Sequence, residues 1–231
     1  MRTIPSLTTA AAALAAMLAA GPARAQFAAI DLVWVQPVAA PDAPRPCTRM
    51  LVLTAPRDWA DGDAAVLVLA PETMANAARP VVQALVDQEA AVLDYSSGFG
   101  GCGDVSSVAP DPVGEALGGL LALKEAGAGL VIAVGLGASG QAVLDAAREE
   151  VAARFLGPDG PRFAAAAALM GEGPAAFRMG RAPAAEDRWA DRAPLLCATI
   201  AARQGAAAQA ACLAALAPPA AEAQASLRPR P

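Results

Sequence analysis

Val131-Ile132-Ala133-Val134-Gly135-Leu136-Gly137-Ala138-Ser139-Gly140-Gln141 joins a short apolar run to a glycine-rich turn, and a helical pattern follows it. A strand, a tight turn and a helix in that order concentrate backbone amides and a helix N-terminus at one point. This is where α/β proteins place nucleophiles or cradle phosphates. Downstream of the turn, Leu144, Ala147, Val151 and Phe155 recur at helical spacing. Upstream, Asp111-Pro112 is an N-cap followed by a first-turn proline, and Val113, Leu117, Leu120 and Leu121 line one face of the helix it opens. Gly127 and Gly129 end that helix.

Further out, the same alternation continues. Ala64–Ala70, Ala90–Leu93 and Phe163–Met170 are continuous apolar runs, as expected of strands buried on both faces. Ala77–Gln88 reads as a helix with Pro80 in its first turn, and Ser96–Pro110 as a long glycine-rich loop. Ile30–Val35 alternates and carries Trp34, which predicts an edge strand; Met50–Thr54 is its neighbour across the Pro-rich loop Pro37–Pro46. These two lie close together without a helix between them, so they form an antiparallel hairpin on the edge of the sheet. Beyond Met170, Gly171–Asp191 reads as a polar excursion, Pro194–Ile200 as a last strand, and the chain to Leu216 as an Ala-rich helix. The fold class is therefore α/β: three layers, a mainly parallel sheet with helices on both faces. Ligands of such folds bind outside the carboxyl ends of the strands, where the Gly135–Gly140 turn falls.

The N-terminus reads as an export signal. Met1-Arg2 precedes the apolar run Thr9–Ala20, and Ala23-Arg24-Ala25 is an A-x-A cleavage pattern, so the mature chain starts at Gln26. The domain then spans 26–216, and the Pro/Ala-rich stretch 217–231 is a disordered tail. A periplasmic or secreted location follows, with no transmembrane segment after cleavage. Of 17 basic and 22 acidic residues in the whole chain, Arg2 and Arg24 leave with the signal, giving a net charge of −7. No basic cluster remains to neutralise phosphates, which argues against a nucleic-acid partner. Four cysteines in an exported chain suggest two disulfides; Cys47–Cys102 and Cys197–Cys212 are the favoured pairs of three possible connectivities. With no C-x-x-C and no histidine, no zinc site is expected.

From Ala64 onward the chain resembles the dienelactone-hydrolase-like branch of the α/β-hydrolase superfamily. Members commonly read G-[WF]-S-x-G-G-Q-A-A-L at the nucleophile elbow; here the stretch is Gly135-Leu136-Gly137-Ala138-Ser139-Gly140-Gln141-Ala142-Val143-Leu144. Downstream, Arg162-Phe163-Ala164-Ala165-Ala166-Ala167-Ala168-Leu169 resembles the family's next strand, where F-x-A-A-V-A-x-Y-P is frequent. The resemblance implies that the nucleophile position falls on Gly137, which keeps the turn and offers no reactive atom. The family's general-base histidine has no counterpart in a chain without histidine. Its acid would follow Pro194–Ile200, where Ala201-Ala202-Arg203-Gln204 stands, and its early oxyanion loop is replaced by Ala70-Pro71-Glu72-Thr73. The implied protein is a hydrolase scaffold without its machinery, binding a small molecule or a periplasmic protein and needing no cofactor.

Three alternatives stay open. Shifting the register by two makes Ser139 the nucleophile of an atypical esterase, with Lys124, Asp94 or Asp104 as the base; the same hydroxyl could instead cap the following helix. Gly135, Gly137 and Gly140 also spell the G-x-G-x-x-G dinucleotide fingerprint. That reading is out of context: several strands precede it, and its acidic partner would be Asp159, ahead of the next strand instead of at its end. Finally, Glu72 and Asp94 at predicted strand ends could form a carboxylate pair in the crevice, with Trp59 and Trp189 lining it.

Overall fold

A computed structural model describes residues 28–40, 46–99, 111–169 and 176–179, together with isolated positions 197, 207, 209, 210, 213 and 214. The signal segment, Cys102, Asp104, Trp189, Cys212 and the tail 217–231 lie outside them.

Seven strands form one sheet in the order β1-β2-β4-β3-β5-β6-β7. They are β1 Ala28–Val35, β2 Arg49–Pro56, β3 Ala64–Leu69, β4 Ala91–Phe99, β5 Leu130–Leu136, β6 Ala165–Leu169 and β7 Ala176–Met179. The centre β4-β3-β5-β6 is parallel, whereas β2 and β7 run against their neighbours. Because β1 is antiparallel to β2, it runs with the central strands. The expected edge hairpin is β1–β2, and every residue of β3, β5 and β6 is buried, as their unbroken apolar runs require.

Two apolar cores lie on opposite faces, and each is covered by helices. Helix α1, Ala75–Asp87, follows a 3-10 turn at Glu72–Met74 and packs Val81 and Leu85 against Val66 and Val68 of β3 on one face. On the other face, α2 (Pro112–Glu125), α3 (Ser139–Ala146) and α4 (Glu149–Leu156) pack against Leu67, Leu69 and Ala133. This is the three-layer α/β architecture expected, built as a mixed and mostly parallel sheet. Helix α2 begins as its sequence predicts, with Asp111 Oδ1 accepting from Val113 N–H at 3.0 Å. Among the described residues no helix is long and apolar enough to cross a membrane.

Four expectations are corrected. The loop assigned from Ser96 begins later, because β4 continues through Phe99. The single helix expected to run from Leu144 to Phe155 is two, since Arg148 is extended (ψ 133°) at the start of α4. A short strand, β7, lies within the stretch taken as a polar excursion; its Ala-Phe-Arg-Met is too brief to show a period. Pro194–Ile200 is not a strand at its described position: Cys197 is helical and fully buried against the α1 face. A short apolar run carries no periodic signal that separates a strand from a buried helix.

Candidate functional site

The turn after β5 has the geometry of a nucleophile elbow. Gly137 is in the left-handed region at φ +55°, and its N–H donates to Leu169 O at 3.0 Å, which ties the turn to the end of β6. Gly140 N–H donates back to Gly137 O at 3.1 Å, and α3 starts at Ser139. The flanking glycines are close-packing positions. A Cβ on Gly135 would come within 2.7 Å of Gly140 Cα, and one on Gly140 within 2.9 Å of Ala168 Cβ. All three glycines of the G-x-G-x-x-G pattern are thus explained by backbone conformation and by the approach of α3 to β5 and β6. Asp159 lies in an exposed turn ahead of β6, at the opposite end of that strand from the elbow.

The position above Gly137 is occupied. Met74, the last residue of the 3-10 turn after β3, places its Sδ where a Cβ at 137 would stand. In an elbow of this type the side chain at the turn projects outward to meet substrate. Here the Met74 thioether stands against the position a Cβ at 137 would take, and Gly137 itself offers no side chain. Met74 is the residue the sequence did not single out; nothing in the pattern Pro71-Glu72-Thr73-Met74 announces that the loop after β3 folds over the loop after β5.

The remaining candidates are dispersed. Ser139 is the first residue of α3, half-buried, and the helix is capped by no side chain, with Ala138 at the N-cap, so the capping role expected of its hydroxyl is not taken. Lys124 sits at the other end of the sheet. Its Nζ donates to Gly129 O at 2.6 Å just before β5, and burial lowers its pKa. A seven-residue strand separates that point from the elbow, roughly 20 Å at the usual rise. Lys124 therefore cannot act as a base for Ser139. Glu72 is exposed in the 3-10 turn. Asp94 lies inside β4, not at its end, and its Oδ1 accepts from both Ser96 N–H (2.8 Å) and Ser96 Oγ (2.7 Å). Trp59 packs against the core and donates from Nε1 to Ala64 O at 3.1 Å, closing the turn between β2 and β3. Cys47 and Cys197 are both disulfide-bonded. Cys102 and Cys212, the partners expected for them, lie outside the described residues, as do Asp104, Trp189 and Ala201–Gln204.

A polar cluster on the α2 face was also unforeseen. Arg49 Nη1 bonds Glu115 Oε1 at 3.2 Å, and the guanidinium stands 5.5 Å from the Tyr95 ring centroid. Tyr95 is buried, and its hydroxyl has no hydrogen-bond partner among the described residues. Desolvation raises its pKa, Glu115 adds to the rise and Arg49 opposes it. Glu115 is raised as well, by desolvation first, with Arg49 pulling the other way. These three residues come from strands and a helix far apart in sequence, which is why no local motif carries them.

No family model matches the sequence, and no curated protein does. Among solved structures, the chain is similar to a bacterial heroin esterase at 18% identity and a TM-score of 0.39, covering 67% of this chain and 48% of that one. It is also similar to an esterase of Pyrobaculum calidifontis at 13% identity and a TM-score of 0.34, covering 63% and 45%. The chain spans less than half the length of either.

Proposed function

We propose that this chain is an exported, degenerate relative of the dienelactone-hydrolase-like α/β-hydrolases, a pseudoenzyme that binds a small molecule or a periplasmic protein instead of hydrolysing an ester. The observation that carries the reading is Gly137. It holds the strained elbow conformation at φ +55° and has no side chain, and Met74 Sδ lies where that side chain would begin. The chain also contains no histidine to serve as general base. Losing the members of a triad removes on the order of a million-fold in kcat. A retained turn with neither nucleophile nor base is thus a scaffold for binding.

The test is steady-state hydrolysis of activated short-chain esters by the wild type and by Ser139→Ala. Equal rates at the buffer background support the reading. Turnover by the wild type that disappears in Ser139→Ala overturns it and establishes the alternative, an atypical serine esterase. Export rests on the A-x-A pattern before Gln26 and accords with the oxidised Cys47 and Cys197. N-terminal sequencing of protein recovered from the periplasm should begin at Gln26, and recovery of the uncleaved chain from the cytoplasm would contradict export.

A further inference from the structure

Strand β1 presents apolar side chains to solvent at every second position: Ile30 is 73% exposed, Leu32 51% and Trp34 67%. They lie opposite Thr54, Val52 and Met50 of β2, on the α1 face of the sheet, and α1 does not extend over them. β1 is also the end of the strand order, and among the described residues nothing pairs with its outer side. Leu32 N–H points away from β2, because it donates to its own neighbour's Asp31 Oδ1 at 2.8 Å. By the alternation of an antiparallel ladder, the N–H and C=O groups of Ile30 and Trp34 point outward too. A long, apolar edge of this kind is a template for another strand.

We propose that the outer edge of β1 is the surface through which two copies of this chain associate, antiparallel and about a two-fold axis at Leu32. The strand is self-complementary in that register. Leu32 meets Leu32 of the second copy, and Ile30 meets Trp34 in both directions. All three pairs are outward-pointing, so each can exchange both backbone hydrogen bonds. The two-fold keeps the apolar faces on one side, so the aromatic and β-branched residues lie directly across from each other, a favourable cross-strand combination. Asp31 falls opposite Val33 and not opposite itself. Its carboxylate, which occupies Leu32 N–H in the single copy, is displaced when that amide pairs across the axis. The stripe exposes on the order of 400 Å² of apolar surface per copy, the size of the largest patch on a typical monomer, which is often functional. Because its side chains stand up from the sheet face, edge pairing covers their flanks and the backbone rim alone, so the contact falls in the range below roughly 1,200 Å² that weak, transient associations occupy. A weak, concentration-dependent dimer is the expected product.

Sedimentation equilibrium of the purified protein across a range of concentrations tests this, with two variants. Leu32→Pro removes an amide that β1–β2 pairing does not use, so it spares the hairpin and deletes the central inter-copy bond. Leu32→Lys sets two ammonium groups against each other at the axis. A closed monomer–dimer equilibrium in the wild type, weakened at least tenfold by Leu32→Lys and by Leu32→Pro wherever circular dichroism shows it folded, supports the proposal. Trp34 fluorescence should shift to the blue as the wild type dimerises, and the shift should vanish in Trp34→Phe. A wild type that stays monomeric to about 1 mM, forms open-ended oligomers, or dimerises equally well with Lys at 32 overturns it.

Discussion

Gly137 stands where the backbone conformation, more than the space around it, favours glycine. A left-handed backbone costs an L-residue with a Cβ about 1–2 kcal/mol, and that Cβ would meet Met74 Sδ. The Met74 thioether is the end of a flexible side chain that can swing aside, so Gly137→Ala should lower stability in urea by about 1–2 kcal/mol, the backbone term, with little further change in a Met74→Ala background. Gly62 serves as the comparison: at φ +93° with open space around it, Gly62→Ala should cost the backbone term alone. Arg162 gathers its contacts in one charged side chain. It is 7% exposed, bonds both carboxylate oxygens of Glu149, and donates to the carbonyls of Gly157, Pro158, Gly160 and Pro161. Arg162→Lys cannot reproduce that fork and should lower stability by ~1–3 kcal/mol in the same urea series. Tyr95 is the single tyrosine, so its ionisation can be read directly from near-ultraviolet phenolate absorbance. Burial first, then Glu115, raise its pKa in the folded chain. The stability this confers is complete below the unfolded value of ~10 and is lost as pH rises above it, because only the unfolded chain releases the proton easily. The phenolate band should stay absent past pH ~10 and appear together with unfolding; a midpoint near 10 in folded protein would contradict the burial.

Helix α2 carries its meaning in its glycines. Gly114 and Gly118, one turn apart, let the strap after β1 lie on the helix backbone, where Val38 N–H donates to Gly114 O at 2.9 Å. A Cβ on Gly118 would fall 2.8 Å from Pro37 Cα. Helix propensity favours Gly118→Ala by ~1 kcal/mol, whereas overpacking against a fixed backbone costs ~1–3 kcal/mol. The steric term should win: Gly118→Ala is expected to lower the urea midpoint and to speed hydrogen exchange of β1 amides, and a stabilised variant would show that the strap is loose. Elements with strong local signals were legible in the sequence. The Asp111-Pro112 start of α2, the buried runs of β3, β5 and β6, and the edge hairpin are all set by caps and periodicity. The strap and the fold-over of Met74 were not, because both depend on contacts between segments many residues apart. Cys197 was misassigned for a different reason, since an unpatterned apolar run suits either a buried strand or a buried helix.

Taken whole, the described residues form a sheet with an apolar core on each face. The turn after β5 is held by Leu169 O, and the Met74 side chain lies beside it. The turn itself, strand to glycine to helix, could be read from its sequence alone. Lys124 precedes β5 and the turn follows it, so the order of the elements already sets the two at opposite ends of that strand. The reading of this chain as a scaffold without hydrolytic chemistry depends on Ser139 being an ordinary, unactivated serine at the start of α3. Intact-mass measurement of the folded protein after incubation with a fluorophosphonate probe tests that most directly. An unmodified mass at saturating probe is the predicted result, and a single stoichiometric adduct mapping to Ser139 would contradict the account.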